Sequence, residues 1–307
     1  MVKYKLWIAL GIIILLGAGC QSRSSQKQTL IIFHAGSVSQ PVREVSAQFM
    51  KLHPGVEILH EAAGSVESAR KITDLGKACD IFISADVSVI EKLLWPHYVS
   101  QWYGFASNAL GLAYTQDSHY SKEIDASNWY EILMRKDVAF ARSDPRADPC
   151  GYRTLFVWQL AEKYYHQPGL YKNLLKKDEH LIRPKETDLL ALLETRNVDY
   201  IFVYQSLALQ HGLLFLELPD SLNLSDTKFE ALYQTAVVNL SPRVGTDTLR
   251  FQGSTILYGV ALPENAPNPG LAQEYLRFLL DPDGGLPIFK KAGHTLPDSI
   301  LIFPKNR

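Results

Sequence analysis

Apolar positions along the chain follow two different periods, and the alternation of these periods predicts strands that are followed by helices. Three short runs, residues 29–33, 56–62 and 80–85, are rich in β-branched and aromatic residues, which favours strands. The first two runs are each followed by apolar residues at helical spacing. These positions are Val42, Val45, Phe49 and Leu52, then Val66, Ala69, Ile72 and Leu75. Strands that alternate with helices predict a parallel sheet in an α/β layer.

The same alternation returns in the second half of the chain. We predict an apolar segment at 109–115, strands at 137–143, 199–204 and 255–262, and helices at 153–165, 189–195 and 271–280. This pattern favours two lobes, residues 27–108 with 256–307, and residues 109–255. The chain would cross between the lobes near 109–114 and near 251–258, and two crossings permit hinge closure over a ligand.

Four of the predicted strands or apolar runs lead into short polar turns, and a helix-like segment follows each turn. The turns are 34–37 (His-Ala-Gly-Ser), 63–65 (Ala-Gly-Ser), 148–151 (Asp-Pro-Cys-Gly) and 185–188 (Lys-Glu-Thr-Asp). A helix N-terminus leaves backbone N–H groups unpaired and carries a partial positive charge. Several such ends that converge on one cleft would bind a small anion.

The two Gly-Ser pairs have a binding interpretation and a structural one. Glycine lets the backbone approach a ligand closely, and Gly36 is followed by Ser37, which offers a hydroxyl and an N–H. Ser37 can also simply shape a turn, and Ser65 can cap its helix. Two such pairs at equivalent strand ends favour binding.

The polar residues of the second half are open to the same two interpretations. Asp148 followed by Pro149 is an ordinary helix start, and Glu186 is an acid near a helix N-terminus, where the dipole favours it. Tyr204, at the end of a strand, can be a core aromatic whose hydroxyl finds a partner.

Composition excludes several classes of function. The chain is 47% hydrophobic with a net charge of −1, which is typical of a globular protein and gives no basic excess for nucleic acid. The nine histidines form no metal-binding spacing, and there is no Cys-x-x-Cys motif. Cys79 and Cys150 could pair in an oxidising compartment, although Cys79 lies just before a strand, which favours a place in the core.

The first residues predict export. A short basic stretch, an apolar run and small residues before Cys20 indicate a signal peptide over residues 1–19. The ending resembles a bacterial lipoprotein signal, which makes Cys20 the lipidated first residue and residues 20–28 a polar tether. The alternatives are an uncleaved anchor and an ordinary signal peptide.

Taken together, the chain resembles the periplasmic tungstate- and molybdate-binding proteins of ABC transporters, and it is closest to their archaeal-type branch. The resemblance covers about residues 30–289 and rests on six segments in the same order. They are 33–37 (Phe-His-Ala-Gly-Ser), 61–66 (Glu-Ala-Ala-Gly-Ser-Val) with 69–76, 128–133 (Asn-Trp-Tyr-Glu-Ile-Leu), 148–153 (Asp-Pro-Cys-Gly-Tyr-Arg), 183–189 (Arg-Pro-Lys-Glu-Thr-Asp-Leu) and 204–206 (Tyr-Gln-Ser).

The resemblance implies an α/β, two-lobed periplasmic-binding-protein fold with two crossover strands that form a hinge. It implies a protein that is not an enzyme, needs no cofactor, captures tungstate or molybdate and delivers it to an ABC transporter permease. Carried over by motif, the ligand contacts are Gly36, Ser37, Ser65, Asp148, Pro149, Cys150, Glu186 and Tyr204. We expect a monomer in the periplasm or at the outer face of the cytoplasmic membrane, anchored through Cys20.

Two acids beside a dianion need an explanation, because buried like charges repel each other. Either Asp148 and Glu186 are protonated and donate hydrogen bonds, or their oxygens coordinate the tungsten or molybdenum centre and complete six-coordination. The second solution resembles the archaeal-type branch and also disfavours sulfate, because sulfur cannot accept two more oxygens. The oxo groups would then be bound by the Tyr204 hydroxyl and by the N–H groups of Ser37, Ser65 and Cys150.

Other functions stay open at this point. The protein could bind another oxyanion such as sulfate or phosphate, although Arg70 and Arg153 are expected in ion pairs rather than on a ligand. It could be an envelope hydrolase that uses Asp148 and Glu186 as acid and base, or Cys150 as a nucleophile with His34 or His211. It could also be a scaffold lipoprotein without a cleft.

Overall fold

The computed structural model describes residues 28–177, 179–241 and 248–304. The predicted signal peptide, the predicted lipidation site Cys20 and the tether as far as residue 27 lie outside the described residues. The strands are β1 (Gln28–Ala35), β2 (Val56–Ala63), β3 (Ile81–Ser84), β4 (Trp102–Ala106), β5 (Leu110–Tyr114), β6 (Phe140–Ser143), β7 (Ile182–Arg183), β8 (Tyr200–Tyr204), β9 (Leu214–Leu216), β10 (Val237–Leu240), β11 (Leu249–Gln252), β12 (Tyr258–Ala261) and β13 (Leu301–Phe303).

The helices connect these strands and cover the sheets. They are α1 (Ser39–Leu52), α2 (Ser65–Thr73), α3 (Val87–Val89), α4 (Trp129–Leu133), α5 (Pro149–Tyr164), α6 (Leu170–Lys177), α7 (Leu189–Glu194), α8 (Gln205–Gln210), α9 (Asp220–Asn223), α10 (Glu230–Tyr233), α11 (Pro269–Leu279) and α12 (Leu286–Lys291). Short 3-10 turns lie at Gly36–Val38, Glu186–Asp188 and Thr227–Phe229, and a π-helical turn lies at Ile90–Leu94. No helix in the described ranges has the length and apolarity that a membrane span requires.

The first sheet has six strands in the spatial order β13-β4-β12-β3-β1-β2. β1 lies parallel to β2 and β3, as the alternation of strands and helices predicts. The prediction of a parallel sheet is wrong for the other strands, because β12 runs antiparallel to β3 and β4, and β13 runs antiparallel to β4. β12 reaches this sheet from the other half of the chain, so no helical crossover holds it parallel to its neighbours.

The second sheet has five strands in the order β7-β6-β8-β5-β9. β6 is parallel to β7 and β8, whereas β5 is antiparallel to β8 and β9. A separate antiparallel ladder joins β10 to β11. The sequence pattern does not predict β9, β10 or β11, because each is short and carries exposed or half-buried side chains without a clear period.

The chain passes between the two sheets at residues 107–109 and returns at residues 253–257. These segments lie beside the predicted crossings at 109–114 and 251–258. They also contact each other, since the Ser107 hydroxyl donates to the Ile256 carbonyl at 2.7 Å. The division into two hinged lobes at these segments stays a prediction.

The helices bury the predicted apolar faces except at their C-terminal ends. Val42, Val45 and Phe49 of α1 are buried, but Leu52 is 65% exposed. α2 ends at Thr73, so Leu75 lies beyond the helix and is 69% exposed. The helical period therefore overestimates the buried face where the helix ends.

The two described cysteines are both buried, and they are not paired with each other. Cys79 lies just before β3 with no exposed area, which confirms its predicted place in the core. Cys150 lies in the first turn of α5, at the candidate site described next.

Candidate functional site

The four turns predicted from the sequence converge where the two sheets face each other. The turn after β1 packs against the turn at Glu186–Asp188, and a Cβ placed on Gly36 would lie 3.2 Å from Thr187. The turn after β2 meets the segment before α5, and a Cβ placed on Gly64 would lie 2.3 Å from the Ala147 carbonyl oxygen. The structure buries the predicted site side chains Ser37, Ser65, Asp148, Cys150, Glu186 and Tyr204 so that none is more than 3% exposed.

Asp148 joins two of these turns through its carboxylate. Oδ1 accepts the N–H of Cys150 at 3.2 Å, and Oδ2 accepts the N–H of Glu186 at 2.7 Å. Pro149 occupies the first helical position, where a missing N–H costs nothing. The expected helix cap is thus present, and it has a consequence for the ligand. The Cys150 N–H, expected to bind an oxo group, is already donated to Asp148.

Glu186 contributes a second buried carboxyl group beside the first. Its Oε2 atom is buried without a hydrogen-bond partner in the described part of the chain. Burial raises the pKa of Glu186 well above its usual range, and the charge of Asp148 adds to that rise. Burial also raises the pKa of Asp148 to about 6. Ionising both acids together is therefore unfavourable unless a positive centre compensates them.

Three hydroxyl groups, those of Ser37, Ser65 and Tyr258, come from the half of the site that the first sheet and its turns provide. The Tyr258 hydroxyl donates to Ser37 Oγ at 3.2 Å, and the Ser37 hydroxyl in turn donates to the Glu186 carboxyl group. Ser65 Oγ accepts the N–H of Ala85 at 3.0 Å. The capping interpretation of Ser65 is wrong, because Gly64 is the N-cap and Ser65 is the first helical residue.

Sequence reasoning missed Tyr258, which lies on β12. An aromatic residue within a buried strand gives no local signal of a polar role. Its Oη also accepts from Asn108 Nδ2 at 3.2 Å, and Asn108 lies in the crossing segment 107–109. A hydrogen-bonded chain therefore connects one crossing to Ser37.

Tyr204 ends β8, and Arg153 Nη1 donates to its hydroxyl oxygen at 2.8 Å. Burial raises the pKa of Tyr204 well above its usual range, so the hydroxyl keeps its proton and can donate it. Arg153 is 1% exposed and forms an ion pair with Asp86 at 3.1 Å. The expected ion pair is confirmed for Arg153. The sequence did not predict that Arg153 also contacts Tyr204, a predicted ligand residue. Arg70 forms the expected exposed pair with Asp74.

The N-terminus of α2 contacts the other half of the chain. The N–H groups of Val66 and Glu67 both donate to the Ala147 carbonyl, at 3.0 Å and 3.2 Å. The sequence predicts that the N–H groups at this helix end bind an anion. In the structure, these two N–H groups bind the segment before α5 instead. The contact holds the Gly64-Ser65 turn and the Asp148 turn together.

The Cys150 thiol is not a nucleophile in this setting. Burial raises its pKa well above the usual range, and the charges of Glu186 and Asp148 raise it further. The thiol donates to the Phe202 carbonyl at 3.5 Å rather than to an imidazole. A neutral, buried thiol reacts poorly, so the hypothesis of a Cys-His pair finds no support here.

The site as a whole combines two buried carboxyl groups with buried hydroxyl groups. Within the described ranges, no group of three or more His, Cys, Asp or Glu residues is arranged to hold a metal ion. The hydroxyls suit the oxygens of an anion, whereas the two acids suit a strongly electropositive centre.

Comparison with known proteins shows the family to which the chain belongs. The family model for the bacterial extracellular solute-binding protein matches residues 30–295. The chain belongs to this family. Its members bind solutes, so the protein is a solute-binding protein and not an enzyme.

Relatives cover most of the chain. An uncharacterized solute-binding protein of Petrotoga mobilis is 45% identical over 256 residues, which span 83% of this chain and 80% of the relative. The molybdate/tungstate-binding protein WtpA of Pyrococcus abyssi is 38% identical over 296 residues, which span 88% of this chain and 85% of the relative.

Solved structures confirm the predicted fold of periplasmic binding proteins. The periplasmic molybdate-binding protein of Azotobacter vinelandii has a TM-score of 0.63 at 16% identity, covering 88% of this chain and 100% of that one. The sulfate-binding protein SubI of Mycobacterium tuberculosis has a TM-score of 0.65 at 13% identity, with 88% of both chains covered. At such low identity the likeness extends to the fold alone.

The close approach at Gly64 predicts the effect of a single methyl group. Gly64 has φ −60° and ψ 142°, which alanine adopts freely, so Gly64→Ala adds a clash with Ala147 and no backbone strain. We expect Gly64→Ala to lower the free energy of unfolding by about 1–3 kcal/mol, as overpacking does. Urea unfolding followed by circular dichroism measures this change.

The matched control is Gly270→Ala in α11, where an added Cβ meets nothing within 4 Å. Alanine is the better helix former, so the control should leave the free energy unchanged or raise it by up to about 1 kcal/mol. Equal behaviour of the two variants would contradict the contact between Gly64 and Ala147.

Proposed function

We propose that this protein captures tungstate or molybdate at the site around Asp148 and Glu186 and delivers the oxyanion to an ABC transporter permease. The observation that carries the proposal is Glu186 Oε2, a buried oxygen without a hydrogen-bond partner among the described residues. An unpaired buried acceptor beside a second acid suits an electropositive centre, whereas a generic anion site would exclude both acids.

The relatives support this ligand class. Two of them are named molybdate/tungstate-binding protein WtpA, and both are 38% identical to this chain. The protein of Pyrococcus abyssi covers 88% of the chain, and that of Thermococcus kodakarensis covers 87%. The sulfate-binding neighbour shares only the fold, at 13% identity.

The coordination chemistry explains why acids are used. Tungsten(VI) and molybdenum(VI) are hard, electron-poor centres that accept carboxylate oxygens. One oxygen from Asp148 and one from Glu186, with four oxo groups, would complete six-coordination. Sulfur does not expand in this way, so for sulfate the two acids are simply repulsive.

The remaining ligand contacts are part of the same proposal. The oxo groups would receive hydrogen bonds from protein hydroxyl groups. Tyr204 accepts a hydrogen bond from Arg153 and keeps a proton to donate, and Ser37 would turn its proton from Glu186 to an oxo group. The contacts proposed beside the two acids are Gly36, Ser37, Ser65, Pro149, Cys150 and Tyr204.

The cellular setting completes the proposal. The family is extracellular, and we propose that residues 1–19 are a signal peptide and that Cys20 carries a lipid anchor. The mature protein would be a monomer with two lobes, tethered through residues 20–28. One lobe would comprise residues 27–108 and 256–307, and the other residues 109–255.

A panel of oxyanions tests the function. Tungstate and molybdate should raise the thermal unfolding midpoint, because a ligand at a thousandfold excess over its Kd stabilises the folded state by about 4 kcal/mol. Sulfate and phosphate at the same concentration should leave the midpoint unchanged. If no oxyanion shifts the midpoint, the proposed function is wrong. If sulfate displaces tungstate at comparable concentration, the acids do not select the ligand.

Coordination by Glu186 predicts a large effect of Glu186→Gln. The amide is nearly isosteric but cannot bind a metal centre as an anion, so the loss should far exceed the ~1 kcal/mol of a neutral hydrogen bond. We expect tungstate to bind at least about a hundredfold more weakly, measured by isothermal titration calorimetry. Glu131→Gln, an exposed position on α4, is the control and should bind like the unmodified protein. Equal affinities of both variants would rule out coordination.

The raised pKa values predict the pH dependence of binding. Coordination needs both carboxylates ionised, whereas the pKa of Asp148 is about 6 and that of Glu186 is raised well above its usual range. Binding should therefore release protons, and affinity should rise up to about tenfold per pH unit for each proton released. Calorimetry in two buffers of different ionisation enthalpy counts the protons. If the acids instead bind protonated, affinity would fall as the pH rises.

A further inference from the structure

Arg153 is a fully buried cation whose side chain reaches both sheets. It lies on α5, and its side chain is 1% exposed. Nη1 donates to the Ala85 carbonyl at 2.7 Å and to the Tyr204 hydroxyl oxygen at 2.8 Å. Nη2 lies 3.1 Å from Asp86 Oδ2. Ala85 and Asp86 follow β3 of the first sheet, whereas Tyr204 ends β8 of the second.

The contact with Tyr204 determines which way that hydroxyl donates. A guanidinium has donors and no acceptor, so the Tyr204 oxygen must accept the hydrogen bond. The oxygen then has its own proton left, directed away from Arg153. The opposite orientation would set the Tyr204 proton against the guanidinium and leave the ligand facing a lone pair.

The contact with Asp86 depends on the two sheets being together. Asp86 also accepts a hydrogen bond from Tyr152 at 2.6 Å, so two neighbouring residues of α5 hold one carboxylate of the first sheet. A buried ion pair is stabilising only when its geometry is good and its other hydrogen bonds are satisfied. Separation of the sheets would break these contacts and free the guanidinium to turn away from Tyr204.

We propose that Arg153 is a positioning residue that couples contact between the two sheets to the orientation of the Tyr204 hydroxyl. The inference rests on the proposed function, because the oxyanion is the partner of that hydroxyl. Arg153 itself does not contact the ligand in this arrangement. It makes Tyr204 a donor in the closed arrangement, in which Asp86 and the Ala85 carbonyl fix the guanidinium.

A double-mutant cycle on tungstate affinity tests the coupling. Arg153→Lys keeps the charge but loses the planar fork in which Nη1 donates to the Ala85 carbonyl and to Tyr204 while Nη2 faces Asp86. Tyr204→Phe removes the donor. Each single variant should bind tungstate about tenfold more weakly, as for a hydrogen bond to a charged group. The double variant should be no weaker than about tenfold, because both changes remove the same interaction.

The matched control cycle pairs Tyr152→Phe with Tyr204→Phe. Tyr152 contacts Asp86, and its removal leaves Arg153 on Tyr204. We therefore expect the effects of these two substitutions on affinity to multiply. If Arg153→Lys does not fold, as judged by its thermal unfolding midpoint without ligand, Asp86→Asn replaces it in the first cycle with the same expected coupling.

The outcomes separate this inference from the proposed function. Coupling in the first cycle and independence in the control support the positioning role. Independent effects in both cycles, with tungstate bound by the unmodified protein, would overturn the role of Arg153 and leave the proposed function standing. Failure of the unmodified protein to bind tungstate or molybdate would overturn both.

Discussion

Burial of Asp148 is the constraint on which the rest of the site depends. A buried carboxylate needs hydrogen-bond donors, and Asp148 takes them from the backbone N–H groups of Cys150, two residues away, and of Glu186, 38 residues away along the chain. This requirement sets the start of α5 and fixes the turn that carries Glu186. The same burial brings two acids together and raises the pKa of both, so ionising both acids is unfavourable unless a positive centre compensates their charges.

The meeting of the two sheets depends on equally local details. Gly64 lets the Ala147 carbonyl approach the N-terminus of α2, where it accepts hydrogen bonds from two backbone N–H groups. Arg153 bridges the same boundary through its contact with Asp86. These contacts surround the predicted ligand residues, so the two sheets meet at the candidate site.

Some elements could be predicted from the chain because their signals are local. β1, β2 and β3 are short runs rich in β-branched and aromatic residues, and Asp148-Pro149 is a helix start that is set by neighbouring residues. Leu52 and Leu75 are exposed although they fit the helical spacing of apolar residues. That spacing does not indicate where a helix ends or where its buried face stops. The antiparallel β12 shows a second failure, because strand direction depends on the route of the chain and not on the composition of the strand.

The sequence by itself determined the polar turns, the acids they carry and the family resemblance, because each depends on neighbours within a few positions. Only the tertiary structure decided that Arg153 faces Tyr204 and that Tyr258 donates to Ser37. It also decided that the Cys150 N–H donates to the capping Asp148 carboxylate rather than being left for an anion. The physical reason is that the free energy of a buried polar group depends on its partners, and most of these partners lie far away in the chain.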